Sequence, residues 1–249
     1  MTILSVAAVP KSCVYCGGIS NLTRDHIPPK SLFNKPRPAN LITVWACATC
    51  NKAFSNDDDY FWLTLASRAE TARNPEATDA AVRAIKHLTR PQAAGFRSAF
   101  LASVQPVEVK TASGLYIGDS LAYDVSFARL NRVAARITRG LFCFEHKALL
   151  APGYVAVARA LEGFTPEADK ALQPWLAFVG AEDTHSIGRV FSYRFKSIPD
   201  DPESSLALFE IYETTAFLGL TIKGGTTFGL SGSRHGPERL GTDRGTLEN

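Results

Sequence analysis

The chain has 249 residues, of which 45% are apolar and 20% are charged, and this composition excludes a wholly disordered protein. No apolar run approaches the ~20 residues that span a bilayer, and residues 2–9 lack the basic start of a secretory signal, so we expect a cytoplasmic protein without membrane attachment. The net charge of +3 is the sum of +2 over residues 1–60, +6 over residues 61–160 and −5 over residues 161–249. This distribution predicts that a polyanion contacts the first two segments, and that the acidic third segment faces away from it or binds a protein partner.

Four of the five cysteines lie in the first sixty residues. Cys13 and Cys16 form one C-x2-C pair, and Cys47 and Cys50 form a second. In a chain without a secretion signal, two such pairs are more typical of a tetrahedral zinc site than of disulfides. Gly17 suits the tight turn that follows the first pair. Two buried cysteine pairs without a metal are the alternative interpretation.

Hydrophobic periodicity predicts the regular elements of the chain. Residues 1–10 are expected to form a strand or an arm against the cysteine-rich segment. Helices are predicted over residues 48 to about 73, 79–88, 91–104 and 124–142. Strands are predicted over residues 41–45, 105–121 (a hairpin with its turn at 112–114) and 188–223 (with a turn at 199–202). Gly140 is a candidate end for the last helix, and Cys143, between two phenylalanines, is expected to be a small core residue.

These patterns predict an α+β protein in three parts. A small zinc-stapled module covers residues 1–60, and a mixed helical and β domain without an indicated role covers residues 61–223. Residues 224–249 are rich in Gly, Ser, Thr and Arg and sparse in apolar residues, which predicts a disordered tail.

A polar motif lies between and after the cysteine pairs. It runs Asp25-His26-Ile27-Pro28-Pro29, then Asn40-Leu41, and Asn51-Lys52 follow Cys50 directly. In this order and with the two C-x2-C pairs, residues 11–60 resemble the HNH endonucleases, which cut DNA in a ββα-metal fold. In the zinc-containing members, four cysteines build a treble clef around that fold. One departure is Lys30-Ser31-Leu32-Phe33, where many members have a Ser-Gly-Gly-like loop.

The resemblance implies a role for each motif residue. His26 would be the general base that takes a proton from the attacking water, and a neutral imidazole suits this task at physiological pH. Asp25 and Asn51 would supply oxygen ligands to one catalytic Mg²⁺ or Mn²⁺. Asn40 would hydrogen-bond backbone across the loop and hold His26 in orientation. Four thiolates would saturate the zinc, so that ion would be structural.

Other interpretations of the same residues remain open. Asp25 can cap a turn, His26 can be a satisfied polar residue under the knuckle, and Asn40 can be an ordinary turn residue. The run 57–59 of three aspartates is expected on the exposed face of a helix and is not included in the site. The module can also be a non-catalytic zinc unit that binds nucleic acid or protein, or an effector nuclease of an antiphage or toxin system that the rest of the chain controls.

Basic residues offer candidate DNA contacts. Arginines recur at spacings of three and four along one face of the predicted helix 124–142, roughly opposite its apolar stripe: Arg129, Arg132, Arg136 and Arg139. This face can track phosphates or can be an ordinary solvated surface. Four more cations lie near the motif: Lys30, Lys35, Arg37 and Lys52. The expected partner is DNA without a recognisable base-reading element, and a homodimer would supply two active sites for a double-strand cut.

Overall fold

A computed structural model describes residues 11–111, 113–162, 166–180 and 183–226, without the side chains of residues 166–169. The predicted N-terminal arm and residues 227–249 of the predicted tail lie outside these described residues. No helix within the described ranges combines the length and the apolar character that a bilayer crossing requires.

The protein has an α+β architecture with an N-terminal four-cysteine cluster. The helices are α1 (Ala48–Ala53), α2 (Ser55–Ala66), α3 (Pro75–Leu88), α4 (Ala94–Ala102), α5 (Phe127–His146) and α6 (Pro166–Val179). The strands are β1 (Leu22–Ile27), β2 (Ile42–Cys47), β3 (Gln105–Lys110), β4 (Tyr116–Ala122), β5 (Tyr154–Ala160), β6 (His185–Ile187), β7 (Phe191–Ile198), β8 (Asp201–Ile211) and β9 (Thr215–Lys223).

Several predicted elements are confirmed, and others have different bounds. The β3–β4 hairpin, the β7–β8 turn and the long helix α5 lie where periodicity places them. The helix predicted from residue 48 is divided at Phe54 into α1 and α2, and it ends at Ala66. α3 begins at Pro75, four residues early, because Asn74 Oδ1 caps it by accepting hydrogen bonds from the backbone N–H groups of Glu76 and Ala77. β1, β5, β6 and α6 were not predicted.

The N-terminal part is a β-hairpin followed by a helix. β1 and β2 pair antiparallel, with Asp25 opposite Val44 and His26 opposite Thr43. Side chains alternate between the two faces of a strand, so Asp25 shares the buried face with Ile27 while His26 lies on the other face. α1 follows β2 directly, and its Asn51 lies beside β1. This order is ββα.

The last five strands form one antiparallel sheet with strand order β5-β9-β8-β7-β6. Its central strand β8 is apolar at consecutive positions because both faces of the sheet are covered. Ala207 and Phe209 pack in the cluster that contains α5, whereas Leu206 and Leu208 pack in the cluster that contains α6.

Helix α5 lies between the hairpin and the sheet. At Gly140 an added Cβ would lie 2.4 Å from Cδ1 of Ile27 in β1, and at Gly219 in β9 it would lie 2.0 Å from Oγ1 of Thr138. These two glycines therefore permit close approach on opposite sides of the helix. The prediction that α5 ends at Gly140 is wrong: the helix continues to His146, and Lys147, with a φ of 54°, closes it.

The buried apolar side chains of the hairpin, of α2, α3 and α5 and of one face of the sheet are continuous. A single cluster includes Ile27 and Val44 from the hairpin, Phe61 from α2, Ile137 from α5 and Phe217 from β9. The domain boundary predicted at residue 60 falls inside α2. Cys143 is 1% exposed in the same cluster, which confirms its prediction as a core residue. The hairpin is thus held against the rest of the described chain by shared core packing.

Candidate metal centre and adjoining cleft

The four N-terminal cysteines converge. Their sulfur atoms all lie within 4.8 Å of one another, and the Sγ atoms of Cys16 and Cys47 are 3.8 Å apart. Zinc bonded tetrahedrally to thiolates at about 2.3 Å requires sulfur–sulfur separations of about 3.8 Å. All four cysteines are free of disulfides. The cluster can therefore hold one zinc ion.

Local backbone structure brings the four sulfurs together. Gly17 adopts a positive φ of 75° and donates its N–H to the carbonyl of Cys13 at 2.8 Å, which confirms the tight turn predicted after the first pair. Cys47 ends β2 and Cys50 lies in the first turn of α1, where its N–H donates to the Cys47 sulfur at 3.4 Å. The cluster thus joins the loop before β1 to the junction of β2 and α1.

The thiols differ in acidity. Burial opposes ionisation of Cys13, but hydrogen bonds from backbone N–H groups outweigh it and lower the pKa of this thiol to about 7. Burial and the neighbouring thiols raise the pKa of Cys50 well above its ordinary value. Because metal ligation requires thiolates, binding of zinc would release protons, and its affinity would rise with pH.

A cleft of about 200 Å³ adjoins the hairpin and α1. Three of the four predicted catalytic residues line it together: Asp25, His26 and Asn51. Lys30 and Asp58 line the same cleft. Residues from β1, α1 and α2 thus meet here although up to 35 positions separate them in the chain.

Two of these side chains, Asn51 and His26, have polar groups whose state the structure indicates. The Nδ2 of Asn51 donates to Oγ1 of Thr23 at 3.2 Å, which leaves the amide oxygen as the group free to bind a cation. Burial and the nearby charge of Lys30 lower the pKa of His26. The imidazole is therefore predominantly neutral at neutral pH.

Asp25 belongs to a buried polar network. It is 6% exposed, its Oδ2 accepts a hydrogen bond of 2.5 Å from the hydroxyl of Tyr15, and Nε of Arg136 lies 3.8 Å from the same oxygen. Burial and the Asp25 charge raise the pKa of Tyr15 well above its ordinary value, so this phenol stays a donor. Arg136 lies beneath the cleft, its guanidinium carbon 4.8 Å from the centre of the Phe54 ring.

Asp58 is one of two cleft residues, with Asp59, that the sequence analysis left out of the site. Nη2 of Arg136 donates to Oδ2 of Asp58 at 3.0 Å, and Nη1 of Arg136 lies 2.8 Å from Oδ1 of Asp58, so the two side chains form a close ion pair with one hydrogen bond. Burial raises the pKa of the Asp58 carboxyl to about 6, with Arg136 acting in the opposite direction. The sequence signal was the aspartate run itself, but helical position alone could not indicate a basic partner 78 residues away.

The arginine face of α5 is not the solvated ridge that its periodicity indicated. Arg136 is 3% exposed, and Nε of Arg129 and Nε of Arg132 lie 2.7 and 2.9 Å from the two carboxylate oxygens of Asp57. Nε of Arg139 donates to the carbonyl of Val14 at 2.7 Å. The expectation of an exposed basic face is wrong, because the acidic N-terminal turn of α2 packs against these arginines. DNA binding by these four arginines stays a prediction.

The remaining predicted residues lie at the surface. Asn40 is exposed, and its side chain makes no hydrogen bond to the described part of the chain, so its positioning role has no contact to support it. Lys30 and Lys52 are exposed beside the cleft and on α1. Lys35 is also exposed, and Arg37 donates to the carbonyl of Lys30 at 3.2 Å.

The buried arginine allows a stability test. Arg136→Met would leave the carboxylates of Asp25 and Asp58 buried without a cation, so we expect it to lower the free energy of unfolding by about 3–5 kcal/mol at pH 7. The loss should shrink near pH 5, because the raised pKa of Asp58 lets its carboxyl take up a proton there. Urea unfolding at the two pH values measures both effects.

Arg132→Met is the matched control on the same helix. Its side chain is 57% exposed, against 1% for Arg136, and it pairs with a carboxylate that Arg129 also binds. We expect a loss below about 1 kcal/mol. Equal losses for the two variants would contradict a special role for the buried pair.

Comparisons of this chain with models of protein families, with curated proteins and with solved structures find no match. The resemblance to HNH endonucleases therefore rests on the motif in residues 11–60 alone. What the structure establishes is the four-cysteine cluster, which is consistent with a zinc-binding site.

Proposed function

We propose that this protein is a metal-dependent endonuclease that hydrolyses DNA phosphodiester bonds in the cleft beside the four-cysteine cluster. The observation that carries the proposal is the convergence of Asp25, His26 and Asn51 on one cleft of a ββα unit. An imidazole, a carboxylate and a carboxamide in one cleft supply a proton acceptor and oxygen ligands, the groups that phosphodiester hydrolysis with a divalent ion needs.

The donor set of the cleft fits a hard divalent cation. Oδ2 of Asp25 is engaged by Tyr15, which leaves Oδ1 to bind an ion, and the amide oxygen of Asn51 is the second donor. Oxygen donors favour Mg²⁺ or Mn²⁺ over softer metals. When bound, such an ion supplies stabilisation of the negative charge that develops on the scissile phosphate and the departing oxygen.

The side chains of the cleft carry the other steps. His26, neutral because of its lowered pKa, accepts the proton that the attacking water loses. Lys30, exposed at the rim of the cleft, binds a phosphate oxygen of the substrate. The zinc site has no open position, so it fixes the loop, β2 and α1 relative to one another and leaves chemistry to the cleft.

A non-catalytic zinc module that binds nucleic acid or protein is the second candidate. The observation in its favour is that Asp25 is buried and already bonded to Tyr15 and near Arg136, as expected for a purely structural carboxylate. Three other predictions do not distinguish the endonuclease from the non-catalytic module: a homodimer, a partner for the acidic residues 161–249, and an antiphage or toxin role.

Incubation of supercoiled plasmid with the purified protein tests the proposal. We expect nicked or linear DNA with Mg²⁺ or Mn²⁺, none after EDTA, and recovery when Mg²⁺ alone is restored. The zinc content of the EDTA-treated protein is measured as well. If the protein keeps its zinc but loses activity, catalysis depends on the divalent ion of the cleft and not on zinc. Plasmid that stays supercoiled in both metals, although the protein binds it, would favour the non-catalytic module.

A further inference from the structure

A second, larger cavity lies on the other side of the N-terminal end of α2. Its volume is about 570 Å³, within the range of roughly 300–1,000 Å³ that holds small organic ligands. Residues from α2, α3, α4 and α5 and the α3–α4 connection line it, among them Asn56, Asp59, His87, Arg90, Phe96 and Arg129. Neither the zinc cluster nor the proposed catalytic residues contribute to this cavity.

The cavity and the catalytic cleft adjoin each other. Asp59 lines both, Ser55 and Asp58 of α2 line the cleft, and Asn56 lines the cavity. The Asp59 carboxylate, which would repel a phosphate, lies 3.1 Å from Nε2 of His87. The cleft and the cavity therefore lie on either side of about one turn of α2.

The lining combines cations with an aromatic ring. Arg90 is exposed and makes no ion pair within the described part of the chain. Arg129 is held by Asp57 and by the carbonyl of Asn56, and its guanidinium carbon lies 4.1 Å from the centre of the Tyr60 ring and 5.8 Å from that of Phe96. Guanidinium groups bind phosphates, and aromatic rings and guanidinium planes stack on nucleobases.

We propose that this cavity binds one nucleotide of the substrate strand next to the phosphodiester in the cleft, with Arg90 on its phosphate and its base against Phe96 and Arg129. The proposal rests on the endonuclease function proposed above and adds the substrate form. A base in this cavity is unstacked from its neighbours, so the strand is bound here as a single strand rather than as a regular duplex.

The test is binding of a fluorescein-labelled single-stranded DNA of about 12 nucleotides, measured by fluorescence anisotropy over a range of salt concentrations. The His26→Ala protein with Mg²⁺ serves as the parent, so that binding is measured without cutting. Arg90→Ala in this parent should weaken binding roughly tenfold at low salt and reduce the slope of log K against log salt by about 0.7, the value for one lost phosphate contact on a single strand.

Two further variants make the test specific. Gly95 lines the cavity and an added Cβ there meets nothing within 4 Å, so the side chain of Gly95→Leu should enter the cavity and weaken binding. Lys223→Ala removes an exposed cation at the end of β9, outside the cavity, and should leave the slope unchanged. Equal effects of Arg90→Ala and Lys223→Ala would overturn the proposal.

The source of the nucleotide is tested with thymidine 5′-monophosphate. If the monophosphate competes with the labelled strand, and this competition is lost in Arg90→Ala, the proposal is supported. If the monophosphate binds without competing, the cavity is a site for a free nucleotide and the proposal is overturned. Plasmid cleavage by the wild type with no effect of Arg90→Ala on strand binding would defeat this inference alone. Strand binding through Arg90 in a protein that cuts no plasmid would defeat the proposed function alone.

Discussion

Replacement of His26 by alanine is expected to reduce plasmid cleavage by at least about a hundredfold, the lower end of what a positioned general base contributes. The imidazole lines the cleft, and its lowered pKa keeps it in the proton-accepting form. Its side chain makes no hydrogen bond to another described residue and lies on the face of β1 opposite the buried Asp25 and Ile27. The variant should therefore fold normally and retain zinc.

Initial rates of conversion of supercoiled plasmid, with zinc content and thermal unfolding measured on the same preparations, check this prediction. His185→Ala is the matched control, because His185 is exposed on β6 and stacks on Tyr193, 5.0 Å between ring centroids, outside the cleft. It should keep wild-type activity. Undiminished cleavage by a folded, zinc-loaded His26→Ala protein would remove the general base from the proposal.

Cys47→Ser is expected to abolish both zinc binding and the folded N-terminal module. The Cys47 sulfur lies 3.8 Å from that of Cys16 and also accepts the Cys50 N–H at the start of α1. A serine hydroxyl does not ionise at neutral pH and cannot replace the thiolate. Structural zinc contributes about 10–16 kcal/mol, comparable to the whole stability of a domain, so loss of the ion should unfold the module.

Elemental analysis gives the zinc content, and circular dichroism with thermal unfolding reports the fold. Cys143→Ala is the control, since this buried thiol on α5 lies outside the cluster and its loss should lower stability while one zinc per chain remains. A folded Cys47→Ser protein with a full equivalent of zinc would show that the four-thiolate site is assigned wrongly.

Local signals explain which elements could be predicted from the sequence. Three of these signals depend only on neighbours within a few positions: the regular spacing of apolar residues in α5, the turn residues between β7 and β8, and the two C-x2-C pairs. α6 carries an internal Pro174, and β1 is mostly polar, so neither shows a clear pattern. Their formation depends on packing and pairing with distant segments.

The cleft was predicted in part for the same reason. The resemblance of the motif, with the two cysteine pairs joining its ends, implied that Asp25, His26 and Asn51 meet, and all three line the cleft. Asp58 and Arg136 could not be included, because their pairing depends on how α5 crosses α2. The arginine face was misassigned because a charged helix face has the same periodicity whether it contacts water or an acidic helix.

By itself the sequence determined that four cysteines with the spacing of a metal site and an Asp-His-Asn motif belong to one segment, since both patterns consist of residue types at short intervals along the chain. Only the tertiary structure decided which charges are neutralised inside the protein, because ion pairs such as Arg136 with Asp58 join segments far apart in the chain and form where core packing brings the helices into contact.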